Sequence, residues 1–141
     1  MKLLTKNTDY AIRALIELAT NEGEYLSSRK IADKQNIPYQ FLRGIMQELI
    51  RNNLIESKEG VTGGSKLNKN PEKIKLVDVI RIFQGEIEIS DCLFQKKLCE
   101  NRETCVLRRE IKRIEVLVEK EFGKLTIKGL ISKINQNNGG K

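Results

Sequence analysis

Ile37-Pro-Tyr-Gln-Phe-Leu-Arg-Gly-Ile-Met-Gln-Glu-Leu-Ile-Arg-Asn52 is the stretch whose reading decides the fold. Pro38 suits the first position of a helix, where its missing N–H costs nothing. From there to about Asn52, Leu42, Ile45, Met46, Leu49 and Ile50 recur at helical spacing and form a buried side. Tyr39, Gln40, Arg43, Gly44 and Gln47 are left facing out near the beginning. Just upstream, Ser27 or Ser28 caps a short helix, Arg29–Lys34, with Ile31 and Ala32 inward and Gln35-Asn36-Ile37 as the turn. Two short helices joined by a tight turn, the second with a polar N-terminal face, make a helix-turn-helix pattern. An ordinary helical pair would look the same in isolation, and the next segment shifts the balance.

Leu54-Ile-Glu-Ser-Lys58 has strand character, Glu59-Gly60-Val-Thr-Gly63-Gly64 is a glycine-rich loop, and Ser65-Lys-Leu67-Asn returns as a second strand. A hairpin directly after a recognition helix is the wing of a winged helix. Its glycines allow the backbone to approach a phosphate closely. Upstream, Asn7 or Thr8 caps a helix carrying Asp9 in its first turn and Ala11, Ala14, Leu15 and Leu18 on its apolar stripe; Asn21-Glu-Gly23-Glu ends it. Downstream, Asn68-Lys-Asn70-Pro71 turns into a helix with Ile74, Leu76, Val79, Ile80 and Phe83 apolar, stopped by Gly85.

A long helix is expected from Val106 to about Phe122, a rod roughly 25 Å long. Leu107, Ile111, Ile114 and Val118 form a seam close to a heptad, so a symmetric dimer packs there unless the helix folds back on its own chain. A short helix, Thr126 to Ile134, follows, then a frayed tail at 135–141. The expected class is mainly α with a small β-hairpin: one domain over 1–134, divided into a winged helix-turn-helix (1–85), a cysteine loop (86–105) and the dimer and C-terminal helices (106–134).

The chain has 141 residues and a formal net charge of +7, which favours an anionic partner, nucleic acid before membrane. No apolar run is long enough to span a membrane, no leader with a cleavage site opens the chain, and an odd number of cysteines favours a reducing, cytoplasmic setting. All three cysteines lie in Cys92-Leu-Phe-Gln-Lys-Lys-Leu-Cys99-Glu-Asn-Arg-Glu-Thr-Cys105. Thiolates are soft ligands for zinc, copper(I) or iron–sulfur clusters, and the spacing is looser than that of structural zinc sites. A cluster normally takes four protein ligands. The chain has no fourth cysteine and no histidine. A carboxylate, a small thiol, water or a group from another subunit would have to complete the set. Inert buried thiols or a regulatory disulfide remain open on the same residues.

Leu4-Thr-Lys-Asn-Thr-Asp-Tyr-Ala-Ile-Arg-Ala-Leu15, Ile31-Ala, Ile37-Pro-Tyr-Gln-Phe-Leu42, Gly60-Val-Thr-Gly-Gly64, Leu76-Val-Asp-Val-Ile-Arg81 and the three spaced cysteines together resemble the Rrf-two family of bacterial winged-helix regulators. Its cluster-binding members include IscR, NsrR and RirA; members without cysteines also exist. The resemblance implies a cytoplasmic homodimer, a repressor that binds a near-palindromic double-stranded operator and is switched by a 2Fe-2S or 4Fe-4S cluster responding to nitric oxide, redox or iron status. It implies Cys92, Cys99 and Cys105 as cluster ligands. Where IscR-like members have a histidine ligand, this chain has Arg108, which coordinates no metal. Asp9 stands where NsrR-like members place a fourth ligand reaching across the dimer; its plainer role is to favour the helix N-terminus. Two wing positions depart from the family: Glu59 replaces the usual Arg and Ser65 the usual Tyr.

Tyr39, Gln40 and Arg43 are the candidate base readers, with Arg43 to guanine foremost. Ser28, Lys58, Gly60, Thr62, Gly63, Gly64 and Lys66 are the remaining DNA candidates, the wing residues among them serving the backbone or minor groove. Two other classes stay in view. An iron–sulfur hydro-lyase would also leave one iron open, but the sequence offers no second polar constellation for a substrate. A cluster-free regulator would use its thiols, a protein or a small molecule as effector.

Overall fold

The computed structural model describes residues 3–89, 93–94, 97–98 and 104–139. Its helices are α1 (Lys6–Thr20), α2 (Ser28–Gln35), α3 (Tyr39–Arg51), α4 (Leu76–Gln84), α5 (Val106–Lys124) and α6 (Ile127–Gly139). Between α3 and α4 stands the antiparallel hairpin of β1 (Ile55–Lys58) and β2 (Gly64–Leu67), followed by a 3-10 turn at Pro71–Lys73. A smaller hairpin, β3 (Leu93–Phe94) with β4 (Lys97–Leu98), precedes α5. The mainly helical class with a β-hairpin wing is therefore the observed one.

Helix α1 begins two to three residues earlier than the sequence suggested. Thr5, not Asn7 or Thr8, is the N-cap, its hydroxyl accepting the Thr8 N–H at 3.3 Å. A capping oxygen must stand outside the first turn and reach back to the third helical N–H. Thr8 owns that N–H, and the helix carries its side chain into the core. Ser27 caps α2 in the same way, accepting from Lys30 N–H at 3.2 Å, and Asn36 closes it in the left-handed region at φ 54°. Pro38 is the N-cap of α3 and not its first residue.

α1 packs on α2, α3, α4 and α6 and is the centre of the core. Leu15 and Leu18 of α1 meet Ile31, Leu42, Leu49, Ile55, Ile74, Val79 and Ile127, all buried. Each such side chain contributes about 1.5–3 kcal/mol relative to exposure. The starts of α4 and α6 are stitched together: Leu76 N–H donates to Leu125 O at 2.9 Å and Ile127 N–H to Ile74 O at 3.0 Å. This holds α6 on the winged-helix core. Residues 135–139, expected as part of a frayed tail, continue α6. Asn and Gln are only mildly unfavourable in a helix and nothing there breaks one. No helix among the described residues is long and apolar enough to cross a membrane.

α5 lies along α4, where Arg81 pairs with Glu119 and stands 3.7 Å from Glu86 and 3.8 Å from Asp78. Such half-exposed pairs contribute at most about 1 kcal/mol each. Only Glu115 of α5 is buried within this chain.

Candidate nucleic-acid interface and cysteine site

The 3.6-residue repeat of α3 puts Leu42, Ile45, Met46 and Leu49 against the core and leaves Gln40, Arg43, Gly44 and Gln47 exposed. Tyr39 is half-buried, and the Arg29 guanidinium of α2 lies 4.4 Å from its ring centroid. One face of the tyrosine ring is thus occupied by the neighbouring helix, and Gln40 and Arg43 are the more open of the three candidate readers. Ser28 is the first residue of α2, half-buried. Phe41, which the sequence reading assigned to neither side of the helix, is 52% exposed in the same first turn.

The wing is anchored more firmly than a free hairpin. Leu26 and Ser65 exchange two backbone hydrogen bonds of 2.8 Å, so the segment ahead of α2 is bridged to the wing root at one residue. A Cβ on Gly64 would lie 2.4 Å from Leu26 O, and one on Gly63 would lie 2.1 Å from Lys58 O. Both glycines are therefore required by the wing's own backbone packing. Gly60, at φ +109°, has open space around it and supplies only its backbone conformation.

Lys66 turns to the wing root. Its ammonium is 3.4 Å from Glu56 and 4.8 Å from the Tyr25 ring, while Tyr25 Oη donates to Glu56 at 3.1 Å. The bond to Glu56, then the neighbouring Tyr25, raises the Lys66 pKa above the ordinary lysine value. Lys58 flanks the same ring at 5.6 Å and is exposed, as are Glu59, Gly60, Val61 and Thr62. Ser65 is buried, so the departure from tyrosine there alters the inside of the wing root. Tyr25 was legible only as a loop residue, because its partners are 31 and more positions away.

On the opposite side, Cys105 is the N-cap of α5, with its Sγ accepting the Arg108 N–H at 3.4 Å. Sulfur at the N-terminus of a 19-residue helix stands in a setting suited to an anionic ligand. Cys92 and Cys99 lie outside the described residues. Between them in sequence the chain folds back on itself, Leu93 pairing with Leu98 and Phe94 with Lys97. Ahead of the loop, Ile89 N–H donates to Glu115 Oε1 at 2.9 Å, and Lys112 Nζ approaches the same carboxylate at 3.1 Å. α5 thus holds the segment ahead of the loop at Glu115, about 15 Å along the helix from its own N-cap. Glu115 escaped the sequence reading because a heptad pattern registers only apolar residues.

Asp9 sits in the first turn of α1, 46% exposed and 3.2 Å from Arg13 Nε. The Gln84 side chain donates to Leu3 O at 3.0 Å and accepts from Thr5 N–H at 2.9 Å, tying the start of α1 to the end of α4. Among the described residues no three potential metal ligands come together.

Along the expected seam of α5 the four residues differ in exposure within one chain. Leu107 and Ile114 are exposed, but Ile111 and Val118 are half-buried against the chain's own elements. Val116 and Leu117 join the exposed apolar surface, which continues into a hollow of about 250 Å³ lined by Leu117, Val118, Glu121, Phe122 and Leu125.

A helix-turn-helix with an open polar first turn on its second helix, backed by an anchored hairpin, defines a winged-helix DNA-binding protein. Residues 4–133 match the profile of Rrf2, described as an iron-dependent transcriptional regulator, and the chain belongs to that family. It is 36% identical over 107 residues to the regulator NsrR of Shouchella clausii, covering 74% of this chain and 67% of that one. It is 28% identical over 131 residues to the repressor NsrR of Streptomyces coelicolor, covering 92% and 88%. Its fold is similar to that of CymR, the global cysteine regulator of B. subtilis, with a TM-score of 0.76 and 25% identity over 94% of this chain and 98% of that one. The protein is a transcriptional regulator, not an enzyme, and regulators of this family bind operator DNA.

Proposed function

We propose that this protein is a cytoplasmic homodimeric repressor whose operator binding is switched by an iron–sulfur cluster held by Cys92, Cys99 and Cys105. The observation that carries the reading is Cys105 at the head of α5, in the only stretch that contains cysteines, between the end of α4 and the start of the helix with an unpartnered apolar stripe. The donor set is soft and suits iron–sulfur binding. A bound cluster would supply a weakly ligated iron at which nitric oxide or oxygen could enter. Asp9 is proposed as the fourth ligand, given from the partner subunit, with Arg13 holding its carboxylate ready.

The chain's own residues provide the coupling. Cys105 and the Glu115–Ile89 bond attach the loop to α5, and Gln84 joins α4 to the head of α1. A change in the loop would therefore alter the relative placement of two α3 helices across a dimer formed by α5. Operator affinity depends on that spacing, because both halves must meet half-sites separated by whole turns. Gln40 and Arg43 would read bases; Lys58, Gly60 and Thr62 would meet the backbone. The similarity to a cysteine regulator favours a second reading, in which the cysteines sense thiol chemistry without a cluster.

Anaerobic reconstitution followed by absorption spectroscopy and iron and sulfide analysis tests the two. Wild type should acquire a brown chromophore, lost in Cys92→Ala, Cys99→Ala and Cys105→Ala. Asp9→Ala should still assemble a cluster, with an altered spectrum and altered reactivity toward nitric oxide. A colourless wild type favours the thiol reading.

A further inference from the structure

We propose that Phe41 reads the 5-methyl group of a thymine in the operator. This rests on α3 being the operator-reading helix and adds a residue that the polar pattern of that helix does not announce. Among the described residues, the exposed large apolar side chains fall mostly on α5 and α6, where a dimer would cover them. Phe41, 52% exposed, stands apart from that stripe, in the first turn of α3 between exposed Gln40 and the turn bearing Arg43. Its neighbour Tyr39 is half-buried and covered by Arg29; Phe41 has no such cover and no polar atom of its own.

The first turn of a recognition helix is the part that meets base edges in the major groove. In that groove thymine is the base that presents a methyl group, and an aromatic or small apolar side chain is its natural contact. Exposed basic residues lie on the two helices of the motif, Arg29, Lys30 and Lys34 on α2 and Arg43 two positions on from Phe41 in α3. The occupant that fits an apolar ring inside a basic, polar helix face is therefore duplex DNA, at a thymine edge.

The test begins by selecting an operator from a randomised duplex pool with wild-type protein. Each thymine of the selected half-site is then replaced by deoxyuridine, which removes only the methyl group. At one thymine per half-site, the replacement should weaken wild-type binding roughly three- to fivefold, the scale of one buried methyl. Phe41→Ala should bind the thymine operator as weakly as wild type binds the deoxyuridine one, and should not respond to the replacement. Phe41→Leu should keep part of the response, and Arg43→Ala should bind more weakly yet retain the full response. The assignment is overturned if wild type ignores deoxyuridine at every position, or if Phe41→Ala responds as wild type does. If wild type selects no sequence while remaining folded, the operator-reading role of α3 fails first and takes the Phe41 assignment with it. The deoxyuridine arm uses unaltered protein and does not depend on how the variants fold.

Discussion

The glycines of the wing illustrate how residues of one type in one loop take different tasks. Read as sequence, Gly60, Gly63 and Gly64 all suited a close approach to phosphate. In the fold, Gly63 and Gly64 are demanded from within, by Lys58 O and Leu26 O, and Gly60 alone has open space about it. The sequence showed that glycines were needed but not for what, because the bridge to Leu26 comes from 39 residues upstream of Ser65. Gly64→Ala should therefore destabilise the protein by about 2–3 kcal/mol, from a positive φ combined with a backbone clash. Gly60→Ala should cost about 1 kcal/mol, from its backbone conformation alone. Urea unfolding midpoints measure both, and equal losses would show that the Leu26 contact is not what Gly64 serves.

At the scale of elements, the helices and the wing were legible because each has its own period and its own breakers: Asn36 and Gly85 stop helices, and the Gly60–Gly64 loop turns a hairpin. What could not be read was capping, at Thr5 and Pro38, and which part of α5 packs within the chain. Along the expected α5 seam, Leu107 and Ile114 are exposed within one chain and Ile111 and Val118 are half-buried, while Val116 and Leu117 are exposed beside it. Heptad spacing does not distinguish packing on a neighbour in the same chain from packing on another copy. Because Ile114 and Leu117 are exposed within one chain, Ile114→Asp and Leu117→Asp should leave the helical content and unfolding midpoint nearly unchanged. Each should nevertheless produce a monomer in sedimentation, with operator binding greatly weakened, since a charge buried without a partner is costly. Variants that stay dimeric at low concentration would place the subunit interface on another surface.

Over the whole molecule, two functional regions share one core. The proposed DNA face is built by α2, α3 and the wing, and the cysteine stretch leads into α5. Between them run α1 and α4, joined by Gln84 at the head of α1. The winged-helix class was readable from local patterns because its parts are consecutive in the chain. The links between regions were not, since Glu115 to Ile89, Arg81 to Glu119 and Lys75 to Thr126 join residues 26 to 51 positions apart. In the proposed homodimer, those links would carry a change in the loop into the placement of the two DNA-binding halves. The most direct measurement is an anaerobic titration of one operator duplex with cluster-loaded and cluster-free preparations of the same protein, alongside Cys105→Ala. The account predicts that the two wild-type forms differ by at least about tenfold in affinity, within the usual range for coupled sites, and that Cys105→Ala matches the cluster-free form under both treatments. Equal affinities for loaded and cluster-free protein would contradict it.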